Sequence, residues 1–177
     1  VPKAVVERRC ALDGHLLHFY GTAADGWKAE DISAAISTNP LAGSVVRWGE
    51  PISSGQLGFE SLAAVDTSGS LLHFCWDRNS SNPGWQMENV SAATGRQVCG
   101  PIAFYTDSNP TGDHFDHVVA EGLDGHLYIF WCDRLKHNWK LVDLTAITGE
   151  RMQGPFTTWI WYNVIQENTS HLVGVKQ

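Results

Sequence analysis

The residues of this 177-residue chain with the most ligand chemistry to offer are its eight tryptophans and two Asp-Arg pairs. An indole is rigid, so it supplies contact area to a ligand at low entropic cost. A guanidinium offers a planar fork of donors and a carboxylate accepts hydrogen bonds. Trp76 and Trp131, near the ends of two equivalent runs, are the first stacking candidates, and Asp77-Arg78 and Asp133-Arg134 follow them directly. Trp85 and Trp139 recur with Trp27 at similar intervals, which fits a binding wall and a framework role equally. Each residue has a bland alternative: Trp fills cores, and neighbouring Asp and Arg form surface ion pairs of little worth.

Other chemistries find less support. The chain has no nucleophile elbow, phosphate loop, zinc-protease helix or dinucleotide fingerprint, so no enzyme class and no cofactor is expected. Asp113-His114-Phe115-Asp116-His117 has the composition of a metal cluster but occurs once, in a loop entering a strand, and no metal is expected there. His15 and His18 are three apart on a strand and face opposite ways. The four cysteines lack a CxxC pair; they are buried free thiols or form two bridges in one of three connectivities. A net charge of −7 without a basic cluster argues against nucleic acid as a partner. No apolar run approaches the roughly 20 residues that span a bilayer, so membrane insertion is not expected. The three N-x-S/T sequons, at Asn79, Asn89 and Asn168, do not place the protein in a compartment.

The elements that would position these residues recur three times. ALDGHLLHFY, GWKAEDISAAIS and GEPIS match DTSGSLLHFCW, GWQMENVSAATG and CGPIAFY, then GLDGHLYIFW, NWKLVDLTAITG and QGPFTTW. The turn glycines Gly14, Gly69 and Gly125 are 55 and 56 residues apart. A fourth start, NVIQENTSHLVGV, has His171 and Leu172 where the third copy has His126 and Leu127.

Each copy reads as four short strands. The first is apolar (Ala4–Val6, Leu62–Val65, His117–Ala120 and Asn163–Gln166), and a turn follows at Asp13-Gly14, Ser68-Gly69 or Asp124-Gly125. Asp-Gly between apolar runs is a hairpin signal, because both turn positions favour positive φ. The second strand is Leu16–Tyr20, Leu71–Trp76 or Leu127–Trp131; the third runs from the Trp anchor to Ile32, Val90 or Leu144; the last follows Pro51, Pro101 or Pro155. SAAIS and SAATG are too short for an independent helix and read as loop turns. Strands apolar on both faces require sheets stacked on one another. The fold class is therefore all-β: four-stranded antiparallel units of propeller type in a single repeat domain over 1–177, with blades at about 4–56, 57–112 and 113–160 and a partial blade at 161–177.

The string D-G-H-L-x-x-F-x-W, then W-x-x-x-D-L-T-A-x-T-G, then G-P, resembles the repeat of the bacterial and fungal β-propeller lectins. It is most similar to the group related to the fucose-binding Photorhabdus lectin, and more distantly to the Aleuria-type fucose lectins and the tectonins. The resemblance covers nearly the whole chain and is fullest from Asp124 to Pro155. It implies a non-catalytic protein that holds fucose or a related monosaccharide in shallow Trp-lined sites between blades, with glycans as partners. It also implies six or seven blades in a ring. This chain holds about three and a half, so completion by homo-oligomerisation is expected, because open sheet edges invite pairing.

Two departures bear on the sites. Ser68-Gly69-Ser70 replaces Asp-Gly-His in the second copy, and the first copy has Gly21 rather than Trp after Tyr20. Aligning Phe74 with Phe130 sets Cys75-Trp76 against Trp131-Cys132, so the two tryptophans point to opposite faces unless a bulge intervenes. A propeller scaffold for protein contacts is the alternative function, since fold alone does not fix function.

Overall fold

The computed structural model describes residues 14–22, 24–36, 38–51, 57–77, 84–108, 114–134, 136–162 and 168–176. The strands expected at 4–6 and 163–166, and Arg78, lie outside them. The protein is all-β with antiparallel sheets, and its described residues also form three helices of one turn each. It divides into two compact units, Val1–Ser68 with Leu72–Glu88, and Gly69–Leu71 with Asn89–Gln177.

The first unit opens with the hairpin β1 (Leu17–Thr22) and β2 (Gly26–Asp31), followed by α1 (Ile32–Ile36). A sheet of order β3-β4-β5-β6 follows, from β3 (Leu41–Pro51), β4 (Leu57–Asp66), β5 (Leu71–Asp77) and β6 (Gln86–Asn89). Its core joins Leu16, Ile32 and Leu41 to Leu62, Ala64, Leu72 and Phe74, with Trp85 and Met87 packed against them.

In the second unit α2 (Val90–Thr94) leads into β7 (Val98–Ser108), β8 (His114–Gly122), β9 (Leu127–Asp133) and β10 (Lys140–Asp143), a sheet of that order. After α3 (Leu144–Thr148), the hairpin β11 (Met152–Tyr162) and β12 (Asn168–Lys176) closes the described chain. Ala103, Tyr105, Val119 and Leu127 form the core here, covered by Met152, Phe156 and Leu172 of the hairpin. On the other face of β9, Tyr128, Phe130 and Cys132 are also buried. Both faces of this sheet are covered, as the apolar patterning requires.

Sheet and repeat are offset by one strand. Boundaries near 57 and 113 mark the sequence copies, whereas the sheets run from 41 to 89 and from 98 to 143. The strand that ends one copy leads the sheet of the next, because the helical turns after β2, β6 and β10 carry the chain out of the sheet it has just built.

Those turns correct the loop reading of SAAIS and SAATG. The side chains of Asp31, Asn89 and Asp143 accept hydrogen bonds from the N–H groups of Ala34, Ala92 and Ala146 at 2.9, 2.8 and 2.8 Å. Gly95 and Gly149 end α2 and α3 in the left-handed region, at φ 72° and 73°. Caps at both ends satisfy backbone groups that a short helix otherwise leaves orphaned. The hydroxyls of Ser33, Ser91 and Thr145 then accept the N–H groups of Leu16, Leu71 and Leu127 at 2.9, 2.8 and 2.9 Å, tying each turn to the start of a strand.

The last strands also begin earlier than expected. Pro101 and Pro155 lie inside β7 and β11, where the register shifts between Cys99 and Ile102 and between Gln153 and Thr157. Proline is tolerated where the ladder is already broken. In β3 the shift falls between Leu41 and Val45, so the counterpart of Gly100-Pro101 is Gly43-Ser44, and Pro51 instead closes its strand.

Candidate functional site

One row of side chains crosses the sheet of the second unit. Tyr105 on β7 pairs with His117 on β8, His117 with Trp131 on β9, and Trp131 with Lys140 on β10. Directly opposed residues of antiparallel strands share a face, so the four form a ladder. The Tyr105 and His117 rings stack at 4.2 Å, 8° from parallel, and the His117 and Trp131 centroids are 6.4 Å apart at 21°. The Lys140 ammonium lies 4.6 Å from the Trp131 centroid, a cation–π contact. Phe115 meets the Trp131 ring edge-on at 6.0 Å.

A cavity of about 310 Å³ opens among these residues, lined by Tyr105, Asp107, Phe115, His117, Ile129, Trp131 and Val142. Most of its wall is apolar, but two of its lining residues, Asp107 and His117, bring polar atoms close together. Asp107 Oδ1 and His117 Nδ1 are 4.0 Å apart. Both are buried and neither has a hydrogen-bond partner among the described residues. Desolvation pushes the Asp107 carboxyl above its ordinary value, helped by the charge of Asp116 and opposed by His117. Desolvation pushes the His117 imidazole below its ordinary value against the opposing pull of Asp107, Asp116 and the Phe115 backbone carbonyl. The site thus combines a flat aromatic wall, an apolar lining and an unsatisfied acceptor–imidazole pair. That combination suits a small ligand with one C–H-rich face and hydroxyls elsewhere.

Of the residues singled out from sequence, Trp131 lines the cavity. Asp133 and Arg134 separate: buried Asp133 pairs with Lys136, while Arg134 donates from Nη2 to Asp116 at 2.7 Å. Asp116 is 2% exposed, so Arg134 neutralises a carboxylate buried in the sheet. Trp139 is buried. In the first unit, Trp85 is half-buried and donates its Nε1–H to Glu30 at 2.7 Å. Trp76, half-buried, and Asp77 end β5. Trp27, the third member of the anchor set, is 62% exposed. Among the described residues no group of three or more His, Cys, Asp or Glu side chains is placed to hold a metal ion.

Sequence reasoning did not single out Tyr105, Asp107 or Lys140, and met Phe115 and His117 only within a run with the composition of a metal cluster. The cross-strand register was the absent information. It also corrects the echo at the chain end: Trp159 pairs with His171 as Tyr105 pairs with His117, so His171-Leu172 answers His117-Val118 and not His126-Leu127.

The other copies carry different residues at the same positions. Tyr20 pairs with Lys28 on β1–β2 as Trp131 pairs with Lys140, while the second copy has Cys75 and Gln86 there. In the first unit His18 stacks on Tyr20 at 5.2 Å and approaches Trp85 edge-on at 5.5 Å. His18 Nδ1 lies 2.7 Å from Glu30 and its Nε2 lies 3.8 Å from Glu60, which accepts from Arg47 at 2.9 Å. These groups pair with one another, whereas Asp107 and His117 do not hydrogen-bond to each other.

No protein-family model matches the chain, and no curated protein matches it. Among solved structures it is similar to a fucose lectin from Kordia zhangzhouensis in complex with methyl-fucoside, with a TM-score of 0.57 and 16% sequence identity over 78% of this chain and 87% of that one. At that identity the likeness is one of fold.

Proposed function

We propose that this chain is a non-catalytic carbohydrate-binding protein, a lectin, that holds fucose or a related monosaccharide in the cavity on the β7–β10 sheet. The observation that carries this reading is the buried pair Asp107 Oδ1 and His117 Nδ1, 4.0 Å apart beside Trp131 and without partners among the described residues. One sugar hydroxyl can accept from the imidazole and donate to the carboxylate, while the C–H face of the sugar lies against the aromatic wall. The solved fucose lectin of similar fold supports the same reading, as does the resemblance of the repeat to propeller lectins.

In this reading the sheets are blades, and two or more copies complete a ring. The exposed ring of Trp27, whose equivalents Trp85 and Trp139 are covered, supports burial against a further sheet. Several weak sites on one ring then gain avidity. Trp131 is the working member of the tryptophan set, and Trp139 a framework residue.

A glycan array followed by calorimetric titration tests the proposal. Fucosylated or related glycans are expected to bind. Trp131→Ala and Asp107→Asn are expected to weaken binding at least about tenfold, the loss of one good contact, with the thermal midpoint unchanged. A folded protein that binds no glycan would leave the scaffold reading standing instead.

A further inference from the structure

Lys140 occupies a place that the proposed ligand needs. Its ammonium lies 4.6 Å from the Trp131 ring centroid. His117 on β8 and Lys140 on β10 flank Trp131 on β9 in the same row. A neutral sugar stacking on the outer side of the indole must therefore displace the ammonium. Lys140 is exposed and has no carboxylate partner among the described residues, unlike Lys136, which pairs with Asp133, and Arg134, which pairs with Asp116. The ring over which this cation lies, Trp131, lines the aromatic cavity.

The internal copies supply a second, independent observation. Lys28 stands opposite Tyr20 in the register that sets Lys140 opposite Trp131. In the remaining copy the aromatic and the lysine are both absent, replaced by Cys75 and Gln86. A lysine needed only for solubility or strand formation has no reason to disappear together with the ring opposite it.

We infer that Lys140 is a specificity-determining residue that selects glycans bearing an anionic substituent, a sulfate or a carboxylate, on the sugar held beside Trp131. This inference rests on the sugar-binding reading and names the ligand class of the same site. The anionic group draws the ammonium off the indole, replacing a cation–π contact with a stronger charge-assisted hydrogen bond. The same movement frees the ring for the C–H face of the sugar. From His117 to Lys140 is two strand spacings, about 10 Å. One end of the ligand is then held by the Asp107–His117 pair and the charged substituent by Lys140.

The test is calorimetric titration of the full chain and of Lys140→Gln with methyl α-L-fucopyranoside and its 2-, 3- and 4-O-sulfates. At least one sulfate is expected to bind the native protein about fivefold tighter than the parent glycoside, with the advantage shrinking as salt screens the charge. Lys140→Gln is expected to abolish the advantage, so that sulfates and parent glycoside bind the variant equally. Equal binding of parent and sulfates by the native protein overturns the role of Lys140 but leaves the sugar site standing. A sulfate preference that survives Lys140→Gln overturns it as well. If no glycoside binds and the array is silent, the site itself is lost and this inference with it.

Discussion

Asp107 Oδ1 and His117 Nδ1 face each other at 4.0 Å, beyond direct hydrogen-bonding reach, and both are buried without a partner among the described residues. An unmade buried hydrogen bond costs about 1–3 kcal/mol. In the proposed function, a ligand hydroxyl placed between the two atoms removes that cost.

Binding is expected to depend on pH through this pair. The Asp107 carboxyl titrates above its ordinary 3.8 and the His117 imidazole below its ordinary 6.5, desolvation leading in each case. Protonation of the carboxyl removes its acceptor lone pair and protonation of the imidazole places a charge in a desolvated position, so affinity is expected to fall as acid protonates the two groups. For stability the two signs oppose: the lowered histidine's contribution is present above 6.5 and is lost as pH falls through its folded-state value, whereas the raised carboxyl's is present below 3.8 and is lost as pH rises through its folded-state value. Titration calorimetry between pH 4 and 8 checks the profile, and Asp107→Asn should remove the carboxylate's part of it.

Arg134 is expected to matter for folding, not for ligand. Its partner Asp116 is 2% exposed, and Arg134→Met would leave that carboxylate buried and uncompensated. Removing one partner of a buried pair costs about 3–5 kcal/mol, readable by urea denaturation. Changing both residues to apolar side chains should recover much of the loss.

The caps set the helical turns. Asp143 accepts from the Ala146 N–H at 2.8 Å and from His126 at 2.8 Å. Asp143→Ala is expected to cost about 1 kcal/mol. Desolvation tends to raise the Asp143 carboxyl, but the bonds from Ala146 and His126 outweigh it and hold the group below its ordinary value. Its contribution is therefore present above 3.8 and is lost as pH falls through the folded-state value, which acid titration of native and variant stability will show.

The two tryptophans of the third copy should divide cleanly. Trp139→Ala opens a hole at a side chain only 8% exposed, at a cost of about 3–5 kcal/mol. Trp131→Ala should leave the fold standing and remove ligand affinity. Thermal melts beside glycan titrations on both variants separate the framework residue from the site residue.

The strands were legible because their apolar residues alternate between turn signals such as Asp124-Gly125. The helical turns were not, because propensity cannot see that Asp143 and Gly149 cap both ends of five residues. The offset between copy and sheet was also hidden. Repetition shows the period but not where hydrogen bonding breaks. The site was half legible: Trp131 stood out by type, whereas Tyr105, His117 and Lys140 join it only through cross-strand register. Asp133 and Arg134, adjacent in sequence, take different partners, Lys136 and Asp116, because β9 ends at Asp133 and the chain turns there.

A crystal of the protein soaked with methyl α-L-fucopyranoside is expected to hold the sugar in the cavity, one hydroxyl within hydrogen-bonding distance of both Asp107 and His117 and its C–H face against Trp131. A sugar bound elsewhere with this cavity empty, or a crystal that takes up none, would contradict the sugar-binding reading.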